Sequence, residues 1–536
     1  MKPPLATGLA LSALFCLSLS ALESIPEIKR RIPPKGLALP EGLRPKLEAE
    51  LKSLQQRVAQ LKAKKVETLD AEVFVKALSF ALRNGEFFRK ADFKQAKKTV
   101  TLAKERLDSL EKGETPWHDQ RGVLVRGLRS KIDGSVQPYG LYIPEELNLK
   151  NPVPLLVWLH GRGDTTTDLG FIRRCLLKNA ALNGEFDSQQ MITVAPFGRQ
   201  CIGWKHSGEL DIFEAIEQVK KQYKIDEDRI VLAGFSMGGA GAWHVGEHYT
   251  DRFAGVYPGA GFVDVAKYNR IKKEDFPVWY EQKLWGLYDV PGYVRNLFNV
   301  TSLNLNRKLN AGTKIEIDGQ TITLVKNVEQ VSLVRKEGEW SLGQVGGLRK
   351  KTGLQGPIDD AFMAPFLVVT PDGKSKNQIL ERWVKFEMAH FDQRWRELFR
   401  GKLRVKKADQ VSSEDIAKYN LILWGSPESN SLMARLADRL PVKWGAKEIA
   451  VGNKKFDTTW HLPVLVYPNP LNQEKYVVIN SGHTFREHHD RTNSLQNPKL
   501  PDWAILDLSQ LPDKNAAGKV VAADFFDEQW RLKLTK

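Results

Sequence analysis

Residues 234–238 read Gly-Phe-Ser-Met-Gly, with a glycine two positions to either side of Ser236. That is the spacing of a nucleophile elbow. An apolar run, Arg229–Phe235, leads into it, and a glycine- and alanine-rich helix start follows. A serine on such a sharp turn holds its hydroxyl above a sheet edge. The residues two before and two after must be small, because the chain folds back on itself there. The amide of Met237 points into the same space and is placed to hold an oxyanion. The helix beginning there adds its positive N-terminus. The chemistry is attack of Ser236 on an acyl carbon, through a covalent intermediate.

Two other stretches belong with this serine. In Leu156–Asp164, LVWLHGRGD, a loop leaves a strand, and Gly161 and Arg162 are the candidates for a second oxyanion N–H, with His160 bracing the loop. His206, in GRQCIGWKHSGELD, leaves the C-terminal end of the 191–197 strand. That is the same sheet edge as Ser236. It is a substrate-adjacent candidate, read as a wall residue before a base.

Elements must position these residues. Apolar runs at 154–160, 191–197, 229–235 and 253–260 alternate with helical stretches such as 209–223. Continuous apolar strands with crossover helices predict a parallel sheet buried on both faces. Before it, Leu47, Leu51, Leu54, Val58 and Leu61 recur at helical spacing, and two more helices follow to about residue 111. After Asn299, TKIEIDGQTITLV and VSLVRKEGEWSL alternate apolar and polar residues, which predicts antiparallel β. From Ala364 an α/β pattern returns.

WLHGRGD, VAPFGR, IDEDRIVLAGFSMGGAGAW and DRFAGVYPGAG together resemble the prolyl-oligopeptidase-type branch of the α/β-hydrolase superfamily. More closely they resemble large exported bacterial hydrolases of peptidase or esterase type. The resemblance covers about residues 120–300. The helical lead-in and the segment from GLQGPIDDAFM onward are also similar to parts of those multi-domain proteins. It implies Ser236 as nucleophile, and Met237 with Gly161 or Arg162 as oxyanion donors.

A serine needs a base, and in this fold the chain order is serine, acid, histidine. The resemblance breaks there. The stretch YDVPGYVRNLFNV should run into the acid-bearing strand, but TSLNLNRKLNAGTKIEIDG follows. His244 and His248 lie down the helix, roughly 12 and 18 Å from the serine at about 1.5 Å per residue. Asp372, after PFLVVTP, and His483, after YVVINSG, keep the required order at strand ends. They complete a triad only if the third α/β segment continues the same sheet. The intervening antiparallel insert argues for a separate, Rossmann-like one.

The expected class is therefore α/β. A signal peptide covers 1–21, a helical domain 40–115, an α/β-hydrolase domain lacking its last strands 120–300, a β section 301–350 and a Rossmann-like domain 355–536. The 536 residues are 42% hydrophobic and 27% charged, which excludes a disordered chain and a membrane bundle. The early apolar run, Leu9–Leu19, followed by small residues reads as an export signal rather than an anchor. Export permits Cys175 and Cys201 to pair. A net charge of +16 favours an anionic or polymeric partner. No nucleic-acid module, metal-ligand spacing or nucleotide-binding motif is present, so no cofactor is expected. Aromatics in 276–293, FPVWYEQKLWGLYDVPGY, read first as a lid packed on the sheet, and as the alternative they offer stacking surface to a sugar or peptide. The expected function is an exported serine hydrolase, a peptidase or carboxylesterase, with a carbohydrate-specific esterase as one variant. The alternative is a catalytically degenerate α/β-hydrolase that binds or scaffolds in the envelope.

Overall fold

The structure is a computed structural model that describes residues 25–176, 190–299, 310–328, 331, 333–343 and 346–533. The expected signal peptide lies outside the described residues. Three helices come first, α1 (Leu43–Ala63), α2 (Leu69–Asn84) and α3 (Lys90–Glu111). Leu47, Leu54, Val58 and Leu61 of α1 are buried, the stripe that helical spacing predicts. Asp70, at the start of α2, ties the helices to residues 117–127. Its carboxylate accepts from Trp117 Nε1, Arg126 Nε and Nη2, and the Gly127 amide, all at 2.8–3.0 Å.

The first sheet holds β1 (Gly122–Arg129), β2 (Val136–Ile143), β3 (Val153–Leu159), β4 (Ile192–Pro196), β5 (Ile225–Phe235) and β6 (Gly255–Gly259), in the order β1-β2-β4-β3-β5-β6. β1 and β2 form an antiparallel hairpin, while β4, β3, β5 and β6 run parallel. Leu155, Val157, Leu159, Ile192 and Val194 are fully buried, because helices cover the sheet. Those helices include α4 (Asp168–Cys175), α5 (Ser207–Lys220) and α6 (Met237–His248). Ser236 stands at the β5–α6 joint. This is an α/β-hydrolase sheet, and among the described residues it ends at β6.

Two short hairpins follow, Lys314–Ile317 with Gln320–Thr323 and Leu333–Lys336 with Glu339–Leu342. A second sheet then begins. It comprises β7 (Phe366–Thr370), β8 (Val405–Lys407), β9 (Asn420–Leu423), β10 (His461–Asn469), β11 (Asn472–Ile479), β12 (Trp503–Asp507) and β13 (Lys519–Asp524). Their order is β8-β7-β9-β11-β10-β12-β13. The first four run parallel, and β10, β12 and β13 run antiparallel to their neighbours. This corrects the one-sheet arrangement that a Ser236–Asp372–His483 triad requires. β7 finds its partners in β8 and β9, not in β6.

One contiguous apolar core nevertheless runs through helices and both sheets. Buried guanidiniums cross the joints. Arg400 binds Glu86 and Asp168, and Arg199 binds Asp133 and Asp211. No helix of the described residues is long and apolar enough to cross a membrane.

Candidate active site

Ser236 adopts φ 58° and ψ −117°, a conformation that residues with a Cβ rarely hold. Its amide donates to Gly259 O at 2.8 Å, and its carbonyl accepts from Ala240 N at 3.0 Å. The turn is thus pinned to β6 on one side and to α6 on the other. Ser236 is exposed, while Met237 beside it is buried.

The flanking glycines are required by contact. A Cβ on Gly234 would sit 2.3 Å from Gly238 O, and one on Gly238 would sit 1.9 Å from Leu159 O. Both obstacles are backbone and have no rotamer to change. Gly238→Ala is therefore expected to push α6 off β3 and destabilise the protein by about 3 kcal/mol or more. Urea denaturation measures this, and a loss under about 1 kcal/mol would contradict the packing described here.

The 160–164 loop lies against the serine. A Cβ built on Gly161 would be 3.5 Å from Ser236 Cβ and 3.3 Å from Phe235 O. His160 sits behind it, its ring nitrogens 2.9 Å from Gly161 O and 3.0 Å from Phe197 O. Burial lowers the His160 pKa, so the ring is neutral and one of the two contacts is a donated bond. Trp204 Nε1 donates to His160 O at 3.1 Å. The Arg162 side chain turns away from the serine. Its Nε pairs with Asp164 at 2.7 Å and its Nη2 donates to Asp490 O at 3.0 Å. Any part Arg162 takes at the serine falls to its backbone.

All ten histidines of the chain lie among the described residues. None of them hydrogen-bonds the Ser236 hydroxyl, and neither does any described carboxylate. His244 Nε2 contacts Trp204 O, and His390 Nε2 contacts Glu487. His248 packs edge-on against Tyr293 with ring centroids 4.5 Å apart. His206 has φ 52°, and its Nε2 lies 3.1 Å from Gln496 O. Burial pushes its pKa down to about 3. Asp372, the sequence's candidate acid, instead accepts from the Ser431 amide at 2.9 Å and its hydroxyl at 2.5 Å. His483 is caged by aromatic rings, with the Phe399 centroid 3.8 Å away. The structure does bring His206 and His483 together, stacked at 5.9 Å. It links neither to Asp372 or Ser236 by a hydrogen bond. Cys175 and Cys201 are free, buried thiols, and the permitted pairing is not made.

Sequence reasoning missed the loop after β11, which docks onto the serine's half of the molecule. Lys205 Nζ donates to Asn493 O, Ser494 O and Asn497 Oδ1 at 3.1, 3.4 and 2.5 Å. Burial pushes its pKa down to about 7. It missed as well a cavity of about 410 Å3 walled by His206, Glu209, Tyr249, Tyr288 and Asp359. No motif joins these residues, which come from four separate segments. GRQCIGWKHSGELD, which carries His206 and Glu209, and the aromatic stretch 276–293, which carries Tyr288, each stand out in the sequence, and GLQGPIDDAFM, which carries Asp359, does so by resemblance; nothing in the sequence joins the three.

Glu209 in that cavity accepts from Tyr249 OH at 2.6 Å, yet burial raises its carboxyl from 4.5 to about 7. The folded state thus keeps a proton that the unfolded chain gives up near 4.5. The stability this contributes is full below pH 4.5 and is lost as pH rises through about 7. Glu209→Gln is expected to flatten that decline, as seen in melting temperature scanned from pH 4 to 8. An unchanged slope would show that Glu209 does not titrate in this window.

Residues 203–308, which include the elbow, match the prolyl oligopeptidase family. The bifunctional acetylxylan esterase/xylanase XynS20E of Neocallimastix patriciarum is 30% identical over 132 residues, 24% of this chain. The match spans 18% of that protein's length. Among solved structures, a thermostable esterase is 26% identical over 33% of this chain and 52% of its own, with a TM-score of 0.24. S-formylglutathione hydrolase FrmB from Staphylococcus aureus is 18% identical over 34% and 76%, also with a TM-score of 0.24.

Proposed function

Since the chain carries an S9-like α/β-hydrolase, we propose that it is an exported serine hydrolase, a peptidase or carboxylesterase, with Ser236 as its nucleophile. The observation that carries this is the elbow itself. Ser236 is held at φ 58° and ψ −117°, exposed at the joint of β5 and α6. Strained backbone persists where its surroundings over-determine it, and it clusters at active sites.

In the proposed reaction Ser236 Oγ attacks an acyl carbon, and the carbonyl electron pair moves onto oxygen. The Met237 amide and a backbone N–H of Gly161 or Arg162 receive that oxyanion. Collapse expels an alcohol or an amine, which leaves with the serine's proton. Water then releases the acid from the acyl-enzyme. The esterase activity in the relative's name and the net charge of +16 favour an ester on a polymeric or anionic substrate.

One observation favours a second reading. The first sheet ends at β6 among the described residues, and no described histidine takes the serine's proton. An α/β-hydrolase that has lost its base and serves as an envelope binding protein fits that. Treatment of the folded full-length chain with a fluorophosphonate probe separates the two. Covalent labelling that needs Ser236 supports the hydrolase; a folded, unlabelled protein supports the binding module.

A further inference from the structure

The cavity of about 410 Å3 lies at the joint of the two α/β units, and Ser236 does not line it. Its walls come from the first turn of α5, the end of α6, residues 287–296 and the 352–363 segment that leads into β7. A space of this size is in the range of small-molecule sites. Three carboxyls border it, Glu209, Asp359 and Asp360, together with three part-exposed tyrosines, Tyr249, Tyr288 and Tyr293.

Two features of the wall define what it would hold. The first is a carboxylate oxygen that is free and within reach. Glu209 is 3% exposed. Its Oε1 is taken by the Tyr249 hydroxyl at 2.6 Å. Its Oε2 has no hydrogen-bond partner, and it is not sealed from water as both oxygens of Glu247 are. The little of Glu209 that solvent reaches thus lies on the cavity. A largely buried oxygen without a donor is costly, so an open one marks the place of a donor. Asp359 and Asp360 are already braced. The Thr484 hydroxyl donates to Asp359 at 2.5 Å, and the Tyr476 hydroxyl donates to Asp360 at 2.6 Å. Those bonds fix the two carboxyls in place and leave their charge unmatched.

The second feature is the absence of a balancing cation. Among the described residues no lysine or arginine lines the cavity, in a chain of net charge +16. Lys350 pairs with Asp502, and Lys499 pairs with Glu281. Lys205 lies over the Tyr288 ring, 5.0 Å from its centroid, but donates to Asn493 O, Ser494 O and Asn497 Oδ1. The two histidines of the wall are neutral, because burial pushes His206 down to about 3 and His248 down to about 4. Burial in turn raises Glu209 and Asp359 to about 7 and Asp360 to about 6, the response of carboxyls that lack a cation.

A protonated amine answers both features. It brings N–H donors to Glu209 Oε2 and a positive charge to the three carboxyls. Tyrosine rings attract a cation as well. A metal ion fits less well, since among the described residues no three His, Cys, Asp or Glu side chains are gathered as its ligands. We propose that this cavity binds a small organic molecule with a primary ammonium group, its nitrogen against Glu209 Oε2. The site is separate from Ser236 and does not depend on that residue's reactivity.

The test is calorimetry on the full-length chain at pH 8, with benzylammonium as the cation, benzyl alcohol as its neutral counterpart, benzoate as the anion and Mg2+ as the metal. Benzylammonium is expected to bind about tenfold or more tighter than any of the other three. Ser236→Ala should leave that affinity unchanged, which keeps this result apart from the hydrolase assignment. Glu209→Gln keeps the shape and removes the charge, and should weaken binding about tenfold or more. Asp360→Asn, at a part-exposed residue, should weaken it about threefold and decides the matter if the Glu209 variant does not fold. The proposal is overturned if benzylammonium does not bind, if the alcohol, benzoate or Mg2+ binds as tightly, or if a folded Glu209→Gln or Asp360→Asn protein binds as the parent does. A loss of affinity in Ser236→Ala would place the ligand at the serine and overturn it too.

Discussion

Ser236→Ala is expected to abolish fluorophosphonate capture and to bring p-nitrophenyl acetate hydrolysis down to the buffer rate, while His206→Ala and His483→Phe leave both within about threefold. The first half follows from the elbow, where Ser236 is the hydroxyl the strained turn presents. In serine enzymes with a complete triad, loss of the nucleophile costs about 10^6 in kcat. The second half follows from where the two histidines sit. His206 is tied to Gln496 O and stacked on Phe485 at 5.2 Å, and burial disfavours its protonation. A base with a pKa of about 3 takes little of a serine's proton at neutral pH. His483 is enclosed by Phe362, Trp395 and Phe399. A thousandfold loss in either histidine variant would identify the base and displace this picture of the site. Labelling that survives in Ser236→Ala would remove the elbow from the chemistry altogether.

The serine's half of the molecule was legible because its signals are local. The elbow, its small neighbours and the strand before it sit within a dozen residues. The strand expected at 154–160 is found at 153–159, and that at 191–197 is found at 192–196. Sheet membership was not legible. FLVVT in β7 and PLLVW in β3 have the same apolar character, and nothing in either says which neighbour it will pair with. Pairing is decided by residues far along the chain, and it separated Asp372 and His483 from Ser236. Buried charge was equally hidden. Arg199 and Arg400 are fully buried, but arginine is so commonly exposed that its type gives no sign of this. Nor does any spacing announce that Glu209 and Asp359, far apart in the chain, share one cavity wall.

Arg400→Ala is expected to cost about 3–5 kcal/mol in chemical denaturation, a large share of the stability of an ordinary fold. The guanidinium is fully buried and contacts both Glu86 oxygens at 2.6 and 2.7 Å and Asp168 at 2.7 Å. Its carbonyl also accepts from Gln137 Nε2 at 2.9 Å. One side chain thus joins the loop after α2, the start of α4 and the end of the 378–397 helix. Removing it leaves two carboxylates in a space without water, and Lys76, 2.9 Å from Asp168, is the cation left beside them. The pH dependence gives an independent check. Burial alone would raise the Asp168 carboxyl, but Lys76 and Arg400 hold it below its ordinary value. That contribution is present above the unfolded carboxylate range and is lost as pH falls through the folded value. The gap between parent and variant should therefore narrow once pH drops below about 4. Adding Glu86→Gln and Asp168→Asn to an Arg400→Met chain should recover part of the loss at neutral pH, because the stranded charges go with their partner. If the single variant costs less than about 1 kcal/mol, or the gap is flat with pH, the three segments are held by their apolar contacts and the ion cluster only fills space.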